Sequence, residues 1–204
     1  MEHAFRHAYR HNVWGDPESV SGPGSGLLRT EAFRDQIADL LSGLGAKSLL
    51  DAGCGDFNWM RAVRLPVERY VGIDIVPELI REVGQRYTDG QRTFIHADIV
   101  RHDLDQVDVI LCRDCLVHFS FADGLAAVRN FKRSGSRYLL ATSFIAFAEN
   151  LDIETGGGWR RLNLERPPFD FPPPEKMIDE KCLHTGGIYS DKRLALWRLD
   201  AIPA

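Results

Sequence analysis

Three groups of residues in this chain have types and spacing suited to chemistry. The run Cys112-Arg113-Asp114-Cys115-Leu116-Val117-His118 ends in a histidine, the side chain best suited to take a proton near neutral pH. Asp114, four positions earlier, is close enough in sequence to support that histidine or to order its loop. Upstream, Asp51-Ala52-Gly53-Cys54-Gly55 offers two glycines, where a backbone can approach a ligand with no Cβ in the way. Asp74 follows after a second apolar run, and a carboxylate at that place can accept hydrogen bonds from both hydroxyls of a ribose. The third group, Trp159-Arg160-Arg161-Leu162-Asn163, combines an aromatic surface with planar donors. Its plainer reading is a proline-rich clamp over a sheet edge. Likewise, His118 could simply cap the following helix.

These residues need a scaffold, and the hydrophobic pattern supplies one. Met1 to Asn12 can form a short helix, whereas Trp14 to Ser25 holds Gly15, Pro17, Gly22, Pro23 and Gly24 and cannot. Phe33, Ile37, Leu40, Leu41 and Leu44 fall on one helical face, with Gly45 as the stop. Short apolar runs then read as strands at 48–50, 70–74, 94–98, 107–112 and 138–143. Pro77 opens a helix, and another spans about Phe121 to Phe131. Strands alternating with helices imply a parallel sheet covered on both faces. After Ala148 the rhythm breaks into a long segment rich in glycine and proline. Two last strands, near 178–183 and 194–199, flank a loop containing Gly186-Gly187. That loop is too short for a parallel crossover, so they form an antiparallel hairpin. The expected architecture is α/β: a Rossmann-like, seven-stranded, mostly parallel sheet with helices on both faces. It forms a single domain over 1–204, with lid and helices at 1–45, a cofactor core at 46–148, an insertion at 149–177 and the hairpin at 178–204.

Composition narrows the function classes. With 204 residues, 44% hydrophobic and 26% charged, the chain can bury a full core and is not a disordered one. The net charge of -4 argues against a nucleic-acid partner, since phosphate binding favours a basic field. No apolar run approaches a membrane span, and the polar start is unlike a secretory signal. A cytoplasmic protein is expected, with Cys54, Cys112, Cys115 and Cys182 as reduced thiols. A homodimer is compatible with all of this. Cys112-x-x-Cys115 has no second ligand pair to make a zinc site, and His3, His7 and His11 read as a solvated or cofactor-covering face, so no metal is expected.

Both a dinucleotide and S-adenosylmethionine use such a crevice. A dinucleotide loop carries a third glycine and brings a helix N-terminus to the pyrophosphate. Here Asn58 holds the third position and Asp51 and Asp56 add negative charge, which suits a sulfonium and an ammonium better.

These motifs resemble those of class I S-adenosylmethionine-dependent methyltransferases. Leu50, Asp51, Gly53 and Gly55 match the first motif, Asp74 in Gly72-Ile73-Asp74-Ile75 the ribose acid, and Asp98 in Ala97-Asp98-Ile99 the adenine-side acid. The resemblance covers about Ala46 to Ser143. It implies S-adenosyl-L-methionine as cofactor, with Asp51, Gly53, Gly55, Asp74, Ile75, Asp98, Ile99 and Arg113 around it. The Arg113-Asp114-x-x-x-His118 element is similar to that of phosphoethanolamine methyltransferases, which implies His118 as the base and Asp114 as its neighbour.

The acceptor is a small molecule or an oligosaccharide. Ser21-Gly22-Pro23-Gly24-Ser25 and Trp159-Arg160-x-Leu162-Asn163-Leu164-x-x-Pro167-Pro168-Phe169 resemble a bacterial family, that of the mycobacterial sugar 1-O-methyltransferases of methylmannose polysaccharide synthesis. That resemblance implies the 1-OH of a methylated mannoside as acceptor. Trp159, Arg160, Arg161 and Asn163 then form a substrate wall. Tyr9 and Trp14 either close on the substrate or pack the first helix. An amine acceptor and a non-catalytic cofactor-binding protein are the alternatives.

Overall fold

The computed structural model describes residues 1–156, 158–182 and 186–203. Gly157, Leu183 at the expected end of the penultimate strand, and His184 of the following loop lie outside them.

Seven strands form one sheet in the order β3-β2-β1-β4-β5-β7-β6. β1 (Ser48–Ala52), β2 (Arg69–Asp74), β3 (Arg92–His96), β4 (Val109–Cys112) and β5 (Tyr138–Phe144) run parallel. β6 (Lys176–Asp179) and β7 (Lys192–Arg198) are antiparallel to each other, and β7 inserts antiparallel between β5 and β6. The central strands are buried on both faces, as their continuous Leu, Val and Ile runs require. Edge strand β3 is largely exposed.

One face is covered by α2 (Leu27–Gly43) and α3 (Pro77–Tyr87). Phe33, Ile37 and Leu41 of α2 and Leu79 and Val83 of α3 pack there against Leu49, Tyr70 and Leu140. The other face is covered by α4 (Phe121–Arg133) and the segment 162–171, whose Leu162, Leu164 and Phe169 join Phe131 and Trp197. Two helix starts have a clear local cause. Pro77 occupies the first turn of α3, where its missing N–H costs nothing. Ser120 caps α4 by accepting from the Asp123 amide.

Several boundaries differ from the sequence reading. The third strand begins two residues earlier and ends at His96, so Ala97 and Asp98 belong to the loop beyond it. The fourth begins at Val109, because Asp108 turns its carboxylate to the amides of Lys47 and Ser48. The terminal hairpin starts earlier on both sides, which brings Lys192 and Arg193 into β7. Trp14 to Ser25 holds one short 3-10 turn, Pro23–Ser25. Two crossovers lack an α-helix: β1 to β2 has only the turn Met60–Ala62, and β3 to β4 has none.

α1 (Glu2–Arg10) has Ala8 as its one buried residue, packs its half-buried Phe5 against both hydrophobic clusters, and is tied down further by polar contacts. Arg6 and Arg10 both pair with Glu78 of α3, and the Tyr9 hydroxyl donates to Glu82. This helix therefore lies across the carboxyl end of β2 as an attached flap rather than as part of the core.

Candidate active site

The carboxyl ends of β1, β2 and β4 open onto three adjoining hollows of about 60, 110 and 310 Å3. The first is apolar. Met1, Phe5, Ile75, Ala97, Ile99 and Phe119 line it, with Asp74 and Asp98 at its polar edge. The second shares Phe5, Gly53, Asp74 and Cys115 with the first, and adds Tyr9, Gly55, Ser21, Asp114 and His118. The third shares Trp14, Ser21, Asp114 and His118 with the second, and widens between Phe144, Trp159, Tyr189, Arg29 and Lys192. One continuous crevice thus runs from an apolar slot, past two carboxylates, to an aromatic chamber.

The glycine loop has the conformation its sequence suggests. Gly53 and Gly55 sit at φ 85° and 56°, a region L side chains rarely adopt. A Cβ on Gly53 would meet Cys115 Sγ at 2.8 Å, and one on Gly55 would meet Ser21 Oγ at 2.2 Å. Asp74 is oriented from both sides: Oδ2 accepts from the Gly55 amide at 3.1 Å and Oδ1 from the Val76 amide at 3.0 Å. Burial raises its pKa, against those amides, which favour the ionised form. Asp98 Oδ1 accepts from the Val100 amide at 2.8 Å, which fixes its carboxylate at the slot. No α-helix begins at this loop among the described residues, so a pyrophosphate would find no helix N-terminus. An adenosine with a sulfonium-bearing tail fits the same surfaces: an apolar slot for the base, Asp74 for the ribose, and the middle hollow, edged by Asp114, for the cationic tail.

Asp114 and His118 come from the loop after β4. Asp114 adopts φ 52°, a strained conformation for a residue other than glycine. Its amide donates to Thr142 Oγ1 at 2.9 Å. Its Oδ2 accepts from Lys192 Nζ at 2.5 Å, and Arg113 Nη2 lies 3.4 Å away. Burial alone would raise its pKa; Lys192 and then Arg113 outweigh burial and hold it at about 2. His118 donates from Nδ1 to the Gly158 carbonyl at 2.7 Å, which leaves Nε2 as the basic atom. Burial lowers its pKa, so the ring is neutral at physiological pH. Trp14 packs on it with ring centroids 4.6 Å apart.

Several expected contacts do not hold for the side chains. Asp51 points away from the hollows, and its Oδ2 accepts from Tyr70 Oη at 2.7 Å inside the sheet. Desolvation raises its pKa to about 7. Arg113 is buried too. It pairs with Glu180 at 2.6 Å, donates to the Gly24 carbonyl and lies over the Phe33 and Trp59 rings. Arg160 Nη1 donates to the Leu116 and Val117 carbonyls in the loop after β4. Asn163 is buried and donates to the Ile145 and Phe147 carbonyls, and Arg161 stacks on Phe147. Asn163 and one Arg160 nitrogen are thus committed to backbone carbonyls and Arg161 to a ring, Arg160 Nε and Nη2 are buried without a hydrogen-bond partner among the described residues, and only Trp159 of that run lines the crevice. Asp56 is likewise not a charge for the cofactor. It binds Ser19 Oγ, the Val20 amide and Ser21 Oγ, and so ties the segment before α2 to the glycine loop. His3, His7 and His11 share a surface hollow with Arg6 and Arg10, cations that would repel a metal.

The sequence reading missed Phe5, Arg29, Glu180, Tyr189 and Lys192. Lys192 had no motif, but it begins a strand antiparallel to β5, and that start must lie at the carboxyl edge of the parallel strands.

Residues 49–135 match a family described as a methyltransferase domain. A comparison with curated protein sequences gives no match. Among solved structures, the chain is similar to N-methyltransferase NodS from Bradyrhizobium japonicum WM9, at 16% identity and a TM-score of 0.59, over 84% of this chain and 96% of that chain. The same enzyme in complex with S-adenosyl-L-homocysteine matches at 16% identity and a TM-score of 0.54, over 67% of this chain and 73% of that one. Magnesium protoporphyrin IX methyltransferase (ChlM) from Synechocystis PCC 6803, with bound S-adenosylhomocysteine, matches at 18% identity and a TM-score of 0.52, over 69% and 67%. At such identities the likeness concerns the fold, which is that of Rossmann-like methyltransferases. The matched segment is similar to a methyltransferase domain, and this likeness together with the fold supports S-adenosyl-L-methionine as the cofactor.

Proposed function

We propose that this methyltransferase moves the methyl group of S-adenosylmethionine onto a sugar hydroxyl, with His118 as the base. The observation that carries the reading is the placing of His118. Its Nδ1 proton is committed to the Gly158 carbonyl, and the ring lies where the cofactor hollow meets the aromatic chamber. A bound cofactor supplies an activated methyl group, so the protein has to align the acceptor and remove one proton. Alignment is worth up to ~7–11 kcal/mol, and a placed base adds roughly 10²–10⁴-fold. Gly53, Gly55, Asp74, Ile75, Asp98 and Ile99 would hold the cofactor. Trp14 and Trp159 would face the acceptor, whereas Tyr9, also expected there, lines the middle hollow beside Gly53, Gly55 and Asp74.

The chamber's chemistry favours a sugar. Trp14, Phe144, Trp159 and Tyr189 offer apolar surface for a C–H face, while Arg29, Asp114 and Lys192 form a polar rim. The 1-OH of a methylated mannoside, implied by the two sequence motifs, is the specific acceptor proposed. The free thiols Cys54, Cys112, Cys115 and Cys182 fit action in the cytoplasm. A phosphobase is the second reading, because Arg29 forms no ion pair among the described residues and could meet a phosphate. Against it, a cationic amine would share the chamber with Arg29 and Lys192.

The test is an acceptor screen with purified protein and radiolabelled cofactor, covering mannosides, glucosides, phosphobases, small acids and catechols. Methylation of a sugar is the expected result. Turnover of a phosphobase or catechol with no sugar methylated refutes the sugar acceptor. Cofactor binding without turnover of any compound points instead to a binding protein.

A further inference from the structure

We infer that Lys192 is a catalytic residue, whose ammonium donates a hydrogen bond to the acceptor oxygen as that oxygen attacks the methyl group. The inference rests on the sugar-hydroxyl reading and extends it.

The first argument is geometric. Lys192 pairs with Phe144, the last residue of β5, in the antiparallel register. It therefore stands at the carboxyl edge, opposite the loop that carries Asp114 and His118. Its side chain is only 8% exposed, yet it lines the same chamber as His118 and Trp159. An ammonium has three N–H donors. One is donated to Asp114 Oδ2 at 2.5 Å, and Glu180 Oε2 lies 3.1 Å away as an ion-pair partner. At least one donor has no hydrogen-bond partner among the described residues.

Electrostatics supply the second argument. Arg113 and Lys192 balance Asp114 and Glu180, so the cluster carries no net formal charge. A fixed, already compensated N–H of this kind favours charge that develops during the reaction over charge present beforehand. Such help is needed here. Burial makes His118 a weaker base than a free imidazole, while a sugar hydroxyl is a far weaker acid than imidazolium. Proton removal to Nε2 is feasible only if the oxygen's growing charge is stabilised at the same moment. In the step, the acceptor oxygen bonds to the methyl carbon as the carbon–sulfur bond breaks. The bonding pair goes to sulfur, which becomes a neutral thioether. The hydroxyl proton goes to His118 Nε2, and Lys192 keeps all of its protons.

The experiment compares Lys192→Met with wild type on D-mannose and on 2-deoxy-2-fluoro-D-mannose, whose anomeric hydroxyl is more acidic. We expect kcat on D-mannose to fall ~100-fold or more, the usual loss for one oxyanion donor, with S-adenosylhomocysteine affinity unchanged. The loss should be clearly smaller on the fluoro sugar, which needs less help. An independent readout is binding to the S-adenosylhomocysteine complex: wild type should prefer D-mannose to 1,5-anhydro-D-mannitol, which lacks the 1-OH, and Lys192→Met should bind them alike. If Lys192→Met fails to fold, the pair Asp114→Asn and Lys192→Met/Asp114→Asn, the latter still charge-balanced, is read in the same way. Equal losses on both sugars, or unchanged discrimination between the two ligands, would show Lys192 to be only a counter-ion and overturn the inference. If wild type methylates another hydroxyl compound but no sugar, the sugar reading fails, and the same comparisons on acidity-shifted analogues of that compound decide Lys192. An amine as the sole acceptor overturns both, because an ammonium donor would compete for the nucleophilic lone pair.

Discussion

Replacing Asp51 by asparagine separates the cofactor's contacts from the sheet's interior. The Asp51 carboxyl is buried, accepts from Tyr70 Oη, and is driven by desolvation to a pKa of about 7 from an ordinary 3.8. The folded-state pKa lies above the unfolded one, so the folded protein binds the extra proton between these values. Its contribution is present at low pH and is lost as pH rises toward 7. Between pH 5.5 and 8.5 the wild type should lose about 2 kcal/mol through this group, from 1.36 kcal/mol per pH unit over roughly 1.5 units. An amide in its place has no proton to lose and still accepts from Tyr70. Urea unfolding of both proteins across that range should therefore give curves that diverge by about 2 kcal/mol, with the variant the more stable at high pH. Calorimetric titration with S-adenosylhomocysteine should give the same affinity for both at pH 7. Parallel stability curves, or a tenfold loss of cofactor affinity in Asp51→Asn, would refute this placing of Asp51.

Asp74→Ala should weaken S-adenosylhomocysteine binding at least tenfold by calorimetry, since a two-point charged contact to the ribose is lost; equal affinity would remove Asp74 from the cofactor site. His118→Ala should lower kcat by ~10²-fold or more with cofactor affinity constant. The acid limb of the wild-type kcat profile should fall below pH 6.5, because burial lowers the His118 pKa and protonation abolishes the base; a limb above 6.5 would contradict it. Glu78→Gln, which weakens the attachment of α1 through Arg6 and Arg10, should speed S-adenosylhomocysteine release in stopped-flow measurements. An unchanged off-rate would mean that α1 does not gate the slot. Trp159→Ala should raise the acceptor KM more than it changes cofactor affinity in steady-state assays.

What was legible in the sequence was whatever depends on local pattern. Alternating apolar runs and helical stripes marked each strand and most helices to within a few residues, because burial on two faces or on one leaves a period in the chain. The need for residues without a Cβ at Gly53 and Gly55 was likewise legible from residue type, as was the carboxylate after β2. Charged and amide side chains were a different matter, since their role depends on which partner arrives from elsewhere. Asp51 and Asp56 look alike in the loop, yet one turns inward to Tyr70 and the other outward to Ser19 and Ser21. Arg160, Arg161 and Asn163 looked like a recognition surface, yet Arg160 and Asn163 donate to carbonyls, and Arg161 lies over a ring, some 14–44 residues away in sequence. Lys192 had no local signature at all. Only the insertion of β7 beside β5, antiparallel to it, places that ammonium against Asp114, 78 residues earlier in the chain.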